Sequence, residues 1–329
     1  EELNWIDEHV DGMPYGIDLI VPNKFEGKGK EVSSDQILNA IPQGHRDFAK
    51  GILADYNIET DGLDDISEGA KQFRKSLSDE GAATSLEVAF EHPIKLVANA
   101  LGVPPKVMLD MGKKHNVAVA ALVGAKEHAI KQVEAGVDIL VASGGEAGGH
   151  CGDVSTMVLI PEVYKAIQEI KDVPILAAGG ITTGSQMAAA MSMGASGAWC
   201  GSVWLTTSEA ETNPIVKEKM LAASSRDTVR SKSRTGKNSR QLRSPWTDAW
   251  ENKGPEPLPM PLQSLVSEPA LKKIDKLSQG GHEGAKELAT YWVGQGVGLM
   301  KQSMSSGAVV QEFKEDFAEA YERLSNYLS

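Results

Sequence analysis

Two residues of one glycine-rich stretch could act together in chemistry, His150 and Glu146. The stretch runs from Ala142 to Gly152 and holds five glycines among eleven residues. A histidine can gain or lose a proton near neutral pH, and glycines let main-chain N–H groups come close to a flat or anionic ligand. The same residues also fit a tight turn with an incidental histidine. Glu146 could orient the imidazole of His150 or form a structural salt bridge.

The glycine-rich stretch follows a short apolar run at residues 137–141, which predicts a buried strand. Proteins of the α/β class place their reactive groups in loops at the carboxyl ends of strands. We therefore expect His150 to lie at that end of a sheet and to face a bound ligand.

Repeated strand and helix patterns predict the scaffold that positions this loop. The predicted strands are apolar on both faces, which is typical of a covered parallel sheet in an α/β fold. They lie at residues 14–22, 94–101, 116–123, 137–141, 173–178 and 197–201. The helices predicted in this part of the chain lie at residues 107–115, 125–135, 157–171, 183–193 and 214–222.

Six strands would suit an open doubly wound sheet, whereas a closed TIM-type (β/α) barrel needs eight. Two observations favour the barrel. The turns Gly179-Gly180 and Gly201-Ser202 follow the last two predicted strands, which is where such barrels bind phosphate. The sequence also lacks a G-x-G-x-x-G dinucleotide fingerprint between a first strand and a helix.

Asp18 lies within the first predicted strand, among apolar neighbours. A carboxylate in such a strand is costly unless it has a partner. It is therefore either a structural carboxylate with its own hydrogen bonds or a group that binds a ligand at the barrel centre.

Three regions are expected along the chain. Residues 1–23 and 95–240 form the barrel core, and residues 24–94 form a polar helical insertion that could serve as a lid or a dimerisation arm. Residues 241–329 form a helical cap with helices predicted at 270–277, 284–300 and 309–328. Glycines at 294, 296 and 298 are unfavourable in a helix and indicate close approach to a ligand or to another helix.

Composition excludes several classes of function. The chain has 33 Lys and Arg against 45 Asp and Glu, a formal charge of −12, so we expect no nucleic-acid partner. The basic run Arg226–Arg243 is interpreted as a solvated loop rather than a phosphate site. Two cysteines provide neither a disulfide framework nor a metal site. With no apolar run long enough for a membrane span and no signal peptide at the start of the sequence, a cytoplasmic protein is expected.

The order of these motifs resembles the nitronate monooxygenase family, formerly called 2-nitropropane dioxygenases. The resemblance covers most of the chain, and the pairing of E-A-G-G-H with A-G-G-I about thirty residues later is specific. The matching segments are Pro14–Leu19, the loop Gly144–His150, Ala177–Ile181, the turn Gly201-Ser202 and Gly294-Gln295-Gly296.

This resemblance implies a TIM barrel with one non-covalent FMN, a helical cap and His150 as the active-site histidine. The implied activity is oxidation of alkyl nitronates by O2, with His150 stabilising the nitronate or taking a proton from a neutral nitroalkane. Gly179, Gly180, Gly201 and Ser202 would hold the FMN phosphate, Gly145, Gly148 and Gly149 would lie beside the isoalloxazine, and Asp18 and Gln295 complete the implied cofactor contacts.

The resemblance leaves two alternatives. The family includes NAD(P)H-dependent quinone reductases and flavin-type enoyl-thioester reductases, so a reductase remains open. A non-catalytic flavin-binding protein or a truncated, inactive paralogue is the other alternative.

Three departures from the family pattern affect these expectations. The family opens with two strands that this sequence lacks, which predicts an N-terminally truncated barrel. Asp18 stands where many members have asparagine, and a carboxylate beside a flavin would disfavour its anionic reduced form. A basic residue found in some reductases is absent at residues 121–123, which weakens the reductase alternative.

Overall fold

The computed structural model of the protein describes residues 1–19, 39–63 and 79–327. Residues 20–22 of the first predicted strand lie outside this part of the chain. So do residues 24–38 and 64–78 of the predicted insertion.

Six parallel strands form the central sheet, and all six were predicted. Hydrogen bonds join neighbouring strands in the order β1-β2-β3-β4-β6-β7. Within the described residues no backbone pairing joins the two edges, β1 and β7. The strands are β1 (Gly16–Leu19), β2 (Leu96–Asn99), β3 (Ala118–Val123), β4 (Ile139–Ser143), β6 (Ile175–Ala178) and β7 (Gly197–Ala198).

The helices alternate with the strands and then gather at the end of the chain. The five helices predicted in the core region are confirmed as α4 to α8. The full set is α1 (Glu2–His9), α2 (Gln43–Asp55), α3 (Asp79–Phe90), α4 (Lys106–His115), α5 (Lys126–Ala135), α6 (Thr156–Gln168), α7 (Gly184–Ser192), α8 (Pro214–Ala222), α9 (Pro245–Lys253), α10 (Leu262–Gln279), α11 (Glu283–Leu288) and α12 (Ser306–Ser325).

The two faces of the sheet carry different side chains. On the outer face Leu140 and Ile175 are fully buried with Leu159 and Ile160 of α6, and each such burial stabilises the fold by about 1.5–3 kcal/mol. The inner face mixes small residues, among them Ala98, Ala120 and Ala178, with larger ones such as Leu122 and Leu176.

A second apolar core lies outside the sheet and joins distant parts of the chain. Trp246 of α9 is completely buried, together with Leu271 and Ile274 of α10. Leu53 of α2 belongs to the same core, whereas Leu86 of α3 packs with the barrel strands. The proposed division into core, insertion and cap therefore stays a prediction, with α2 packing on the cap helices and α3 packing on the barrel.

The basic run Arg226–Arg243 is not a solvated loop, so that prediction is wrong. It forms two antiparallel strands, β8 (Thr228–Ser231) and β9 (Ser239–Leu242), which we call the β8–β9 hairpin. Arg234 and Arg240 are each only 8% exposed. Charge density along the sequence failed here because both guanidinium groups are buried against partners far away in the chain.

The helix predicted at residues 284–300 is also wrong in its second half. Helix α11 ends at Leu288, Trp292 pairs with Gln241 in an isolated bridge, and a 3-10 turn follows at Gln295–Leu299. A Cβ atom on Gly294 would lie 2.7 Å from the Glu146 carbonyl oxygen, and one on Gly296 would lie 2.5 Å from that of Gly180. The glycines do allow a close approach, but these contacts are with loops of the barrel rather than with the ligand or the helix that the prediction named.

No helix in the described ranges has the length and apolarity needed to cross a bilayer.

Candidate active site

The glycine loop between β4 and α6 lies at the carboxyl edge of the sheet, as predicted. It contains a two-residue strand, β5 (Gly149–His150), which pairs antiparallel with β9. Gly149 lies opposite Arg240, and His150 lies opposite Ser239. The hairpin therefore fixes the backbone of His150 above the sheet.

The imidazole of His150 contacts two residues that lie much later in the sequence. Its Nε2 lies 2.8 Å from Thr235 Oγ1, and its ring centroid lies 6.2 Å from that of Trp292. The side chain remains exposed, and its Nδ1 has no hydrogen-bond partner among the described residues. Surrounding protein lowers the pKa of His150, and the nearby Lys237 charge lowers it further, so the neutral imidazole is favoured at neutral pH.

A cavity of about 460 Å³ opens beside His150, over the ends of β2, β3 and β4. Lys131, Arg230 and Lys237 line it, and Asp153 is its acidic residue. Asp153 pairs with Arg230, whereas no described residue forms an ion pair with either lysine. The cavity therefore attracts anions although the whole chain is acidic.

Glu146 has a structural role that neither of the two interpretations described. Its carboxylate accepts hydrogen bonds from the N–H of Thr156 at 2.9 Å and from Thr156 Oγ1 at 2.8 Å. Thr156 is the first residue of α6, and a carboxylate there satisfies a free N–H and the positive end of the helix dipole. Glu146 thus ties the glycine loop to α6, and within the described chain it has no contact with His150.

Arg240 holds the other side of the glycine loop. Its Nη2 and Nε donate to the Gly145 carbonyl oxygen at 2.8 and 3.1 Å, and its Nη1 donates to Thr228 Oγ1 at 3.1 Å. Gly145 itself donates its N–H to the Val154 carbonyl at 2.7 Å. Sequence reasoning missed Arg240, since its acceptor lies 95 positions earlier.

The predicted loop glycines serve different purposes. Gly149 has φ +72°, a left-handed conformation that favours glycine. Gly148 packs tightly, because a Cβ there would lie 2.7 Å from the Val293 carbonyl carbon. A Cβ built on Gly145 would lie 3.2 Å from the Gly152 carbonyl oxygen. The roles of these three residues in cofactor binding remain proposals, since their observed contacts are with the protein.

The two predicted phosphate turns lie side by side at the carboxyl edge of the sheet, because β6 and β7 are paired neighbours. Gly179 and Gly180 both have positive φ, +116° and +68°. The N–H groups of Gly180 and Gly201 have no acceptor within the described chain, and nothing lies within 4 Å of a Cβ built on Gly201. A Cβ on Gly180 would lie 3.1 Å from the Glu146 Cβ, so the free N–H group that borders open space, and therefore suits an anionic phosphate, is that of Gly201.

Ser202 and Gln295 extend this edge. Ser202 Oγ accepts the N–H of Gly294 at 2.9 Å, which leaves its own hydroxyl proton free to donate. The main-chain N–H of Gln295 donates to the Glu146 carbonyl at 2.9 Å, while its side-chain amide has no partner among the described residues. Both side chains therefore keep hydrogen-bonding capacity that a ligand could use.

Asp18 lies on β1 opposite Ala98, so it shares the inner face of the sheet with Ala98 and Ala120. Its side chain has no hydrogen-bond partner within the described residues. Desolvation raises the pKa of the Asp18 carboxyl to about 6. A role of Asp18 in binding a ligand therefore stays a prediction.

Cys151 follows His150 and lines the same cavity. Burial raises the pKa of its thiol, although Arg230 and Arg240 act in the opposite direction. The thiol therefore stays protonated and is a poor nucleophile, so we do not expect it to exchange protons with a substrate near neutral pH.

Two residues beside His150 were not identified as site residues from sequence. Thr235 is an isolated threonine in the polar turn of the hairpin, and no sequence signal marks it. Trp292 was part of a glycine-rich motif already linked to close approach. Its indole stacks under Arg234, whose guanidinium carbon lies 4.1 Å from the ring centroid.

Comparison with known proteins leads to the same family that the sequence motifs resemble. A sequence model described as nitronate monooxygenase matches residues 2–316. A candidate monooxygenase of Mycobacterium tuberculosis is 48% identical over 326 residues, which cover 98% of this chain and 85% of that protein. A protein named "Probable nitronate monooxygenase" in Staphylococcus saprophyticus is 25% identical over 94% of this chain and 81% of its own length.

Among solved structures, a nitroalkane oxidase from Streptomyces ansochromogenes superimposes with a TM-score of 0.76 at 22% identity. The match covers 98% of this chain and 87% of that chain. At this identity the likeness concerns the fold, and it supports the TIM-type α/β arrangement predicted from the strand pattern.

Proposed function

This chain belongs to the nitronate monooxygenase family, and we propose that it is an FMN-dependent enzyme that oxidises alkyl nitronates with O2. Membership of the family makes it a flavin-type oxidoreductase of the monooxygenase class. The observation that carries the finer proposal is the position of His150. The neutral form of its imidazole is favoured, and the ring opens to a cavity at the carboxyl edge of the sheet, the edge that also carries the two phosphate-type turns.

The residues at the carboxyl edge fit FMN. The free N–H groups of Gly180 and Gly201, with the hydroxyl of Ser202, would hold its phosphate. The glycine loop and the Gln295 amide would contact the ring system. When bound, FMN would supply two-electron oxidation of the substrate and the reaction of those electrons with O2.

The side chains of the cavity suit an anionic substrate. Lys131 and Lys237 would attract a nitronate and favour its binding. Neutral His150 can accept the proton of a nitroalkane, and the imidazolium formed can stabilise the anion as a hydrogen-bond donor. The protein thereby orients the substrate and handles its proton.

The direct test is oxygen uptake by the FMN-loaded protein. We expect uptake with ethyl nitronate and slower uptake with neutral nitroethane, because the nitroalkane must first lose a proton. A protein that binds FMN but consumes no oxygen with either compound would contradict the proposal. A protein that takes up no FMN would favour the inactive alternative.

A second candidate is an NAD(P)H-dependent reductase of quinones or enoyl thioesters. The cationic lining of the cavity by Lys131, Arg230 and Lys237 favours it, because nicotinamide nucleotides and coenzyme thioesters carry phosphates. The absence of a basic residue at 121–123 argues for the monooxygenase.

We further propose a cytoplasmic location, which the two free cysteines, Cys151 and Cys200, support.

A further inference from the structure

Thr235 Oγ1 takes part in three hydrogen bonds, and a hydroxyl has only one proton to donate. The hydroxyl donates to the Lys237 carbonyl at 3.3 Å and accepts the Lys237 N–H at 3.3 Å. The remaining contact, to His150 Nε2 at 2.8 Å, then uses its second lone pair. All three bonds form together only when Nε2 of His150 carries the proton.

From this accounting we propose that Thr235 is a positioning residue that holds His150 as the Nε2–H tautomer. Nδ1 is then the nitrogen that exchanges a proton with the substrate. Nδ1 is free of partners within the described residues, and the side chain is open to the cavity. The inference rests on the proposed role of His150 in catalysis and adds which of its atoms reacts and what directs it.

The cap region fixes Thr235 through its neighbours in the hairpin turn. The Ser233 carbonyl accepts hydrogen bonds from Gln263 Nε2 at 2.8 Å and from Ser267 Oγ at 2.6 Å. Arg234 Nε donates to Glu268 at 2.8 Å. All three partners lie on α10, so a helix of the C-terminal region sets the position of the turn that orients His150.

The proton transfer balances without any further group. The C–H bond of the nitroalkane breaks, its electron pair remains on the nitronate, and the proton forms an N–H bond at Nδ1. The resulting imidazolium still donates Nε2–H to Thr235 Oγ1, and bonds to a charged donor are stronger than neutral ones. The proton then leaves to solvent through the open cavity.

A matched pair of variants tests this assignment. Thr235→Ser keeps the hydroxyl, whereas Thr235→Val keeps the shape and removes it. Both proteins should bind FMN and melt near the wild-type temperature. We expect Thr235→Val to lower turnover of neutral nitroethane about tenfold, and Thr235→Ser to retain most of it. Ethyl nitronate, which needs no proton removal, should be affected less.

The reading that does not depend on activity is the ¹⁵N NMR spectrum of His150. The wild type and Thr235→Ser should show protonated Nε2 and unprotonated Nδ1 at neutral pH. Thr235→Val should show a mixture of tautomers and a lower apparent pKa, since the imidazolium loses an acceptor. Neither substitution alters the other charged and titratable groups that line the cavity with His150. They lie on α5, the glycine loop and the hairpin: His128, Lys131, Asp153, Arg230 and Lys237.

Protonated Nδ1 in the wild type, or an unchanged tautomer and pKa in Thr235→Val, would overturn the inference even if nitronates are oxidised. If the enzyme oxidises no nitronate yet shows the expected tautomers, the proposed function fails while the assignment of Thr235 as the orienting residue stands.

Discussion

The glycine loop (residues 142–152) carries His150, the β8–β9 hairpin (residues 228–242) pairs with it, and the two segments differ in how their sequences specify them. Five glycines, a histidine and a preceding apolar strand mark the loop within eleven residues. The hairpin is polar and basic, and its buried arginines depend on acceptors up to 95 positions away. A local pattern thus points to the proposed reacting group, His150, whereas the residues that position it are found only from long-range hydrogen bonds.

The largest expected effect comes from removing the reacting group of the loop. His150→Asn should lower nitroethane turnover by about two to four orders of magnitude, because asparagine cannot accept the substrate proton. FMN content, measured by absorbance after gel filtration, should stay at the wild-type level. Full activity in this variant would show that the loop is merely a turn.

Arg240→Met tests whether the hairpin holds the loop. It leaves the half-buried Gly145 carbonyl without the two N–H donors of Arg240, and we expect the free energy of unfolding to fall by about 2–3 kcal/mol. The matched control is Arg243→Met. Arg243 lies directly after β9, is 58% exposed and pairs with Asp248. Its loss should stay below about 1 kcal/mol. Equal losses in urea titrations of the two variants would mean that the hairpin does not anchor the loop.

Gly294→Ala tests the contact between the glycine loop and the segment that follows α11. The added Cβ would lie 2.7 Å from the Glu146 carbonyl oxygen and 3.1 Å from the Gly148 nitrogen, so we expect a loss of about 2 kcal/mol. Gly307→Ala is the opposite case, in α12 with nothing within 4 Å. There alanine should stabilise the protein by about 0.5–1 kcal/mol. If the two variants shift the midpoint of unfolding in the same direction, the explanation from packing is contradicted.

The sequence predicts the barrel elements well and the hairpin poorly, for one physical reason. Strands such as β3 and β4 are apolar on both faces, so their own residues predict that they are buried. Arg240 and Thr235 are polar, and their burial follows from Gly145 and from the α10 side chains that hold the turn. Glu146 shows the same limit, because only the fold reveals that it caps α6.

The smallest expected effect concerns Asp18 on the edge strand. Its raised pKa means that the folded protein binds a proton on this carboxyl more tightly than the unfolded chain does. The stability contributed by the protonated form is complete below about pH 4 and is lost as the pH rises through about 6.

Asp18→Asn removes this dependence. Because the side chain is exposed, we expect a gain of at most about 1 kcal/mol at pH 8 and no difference at pH 4. Asp172→Asn, on an exposed surface loop, serves as the control and should show no such pH-dependent gain. Chemical unfolding at both pH values measures the effect, and a gain that is larger at pH 4 would contradict the assigned direction.

The central claim is that the cavity beside His150 delivers nitronates, rather than NAD(P)H, to a bound flavin. Anaerobic mixing of the FMN-loaded wild type with each reductant, followed by flavin absorbance, tests it most directly. We predict rapid bleaching by ethyl nitronate and none by NADH or NADPH. Rapid bleaching by a nicotinamide nucleotide, with none by the nitronate, would contradict the account and identify the protein as a reductase.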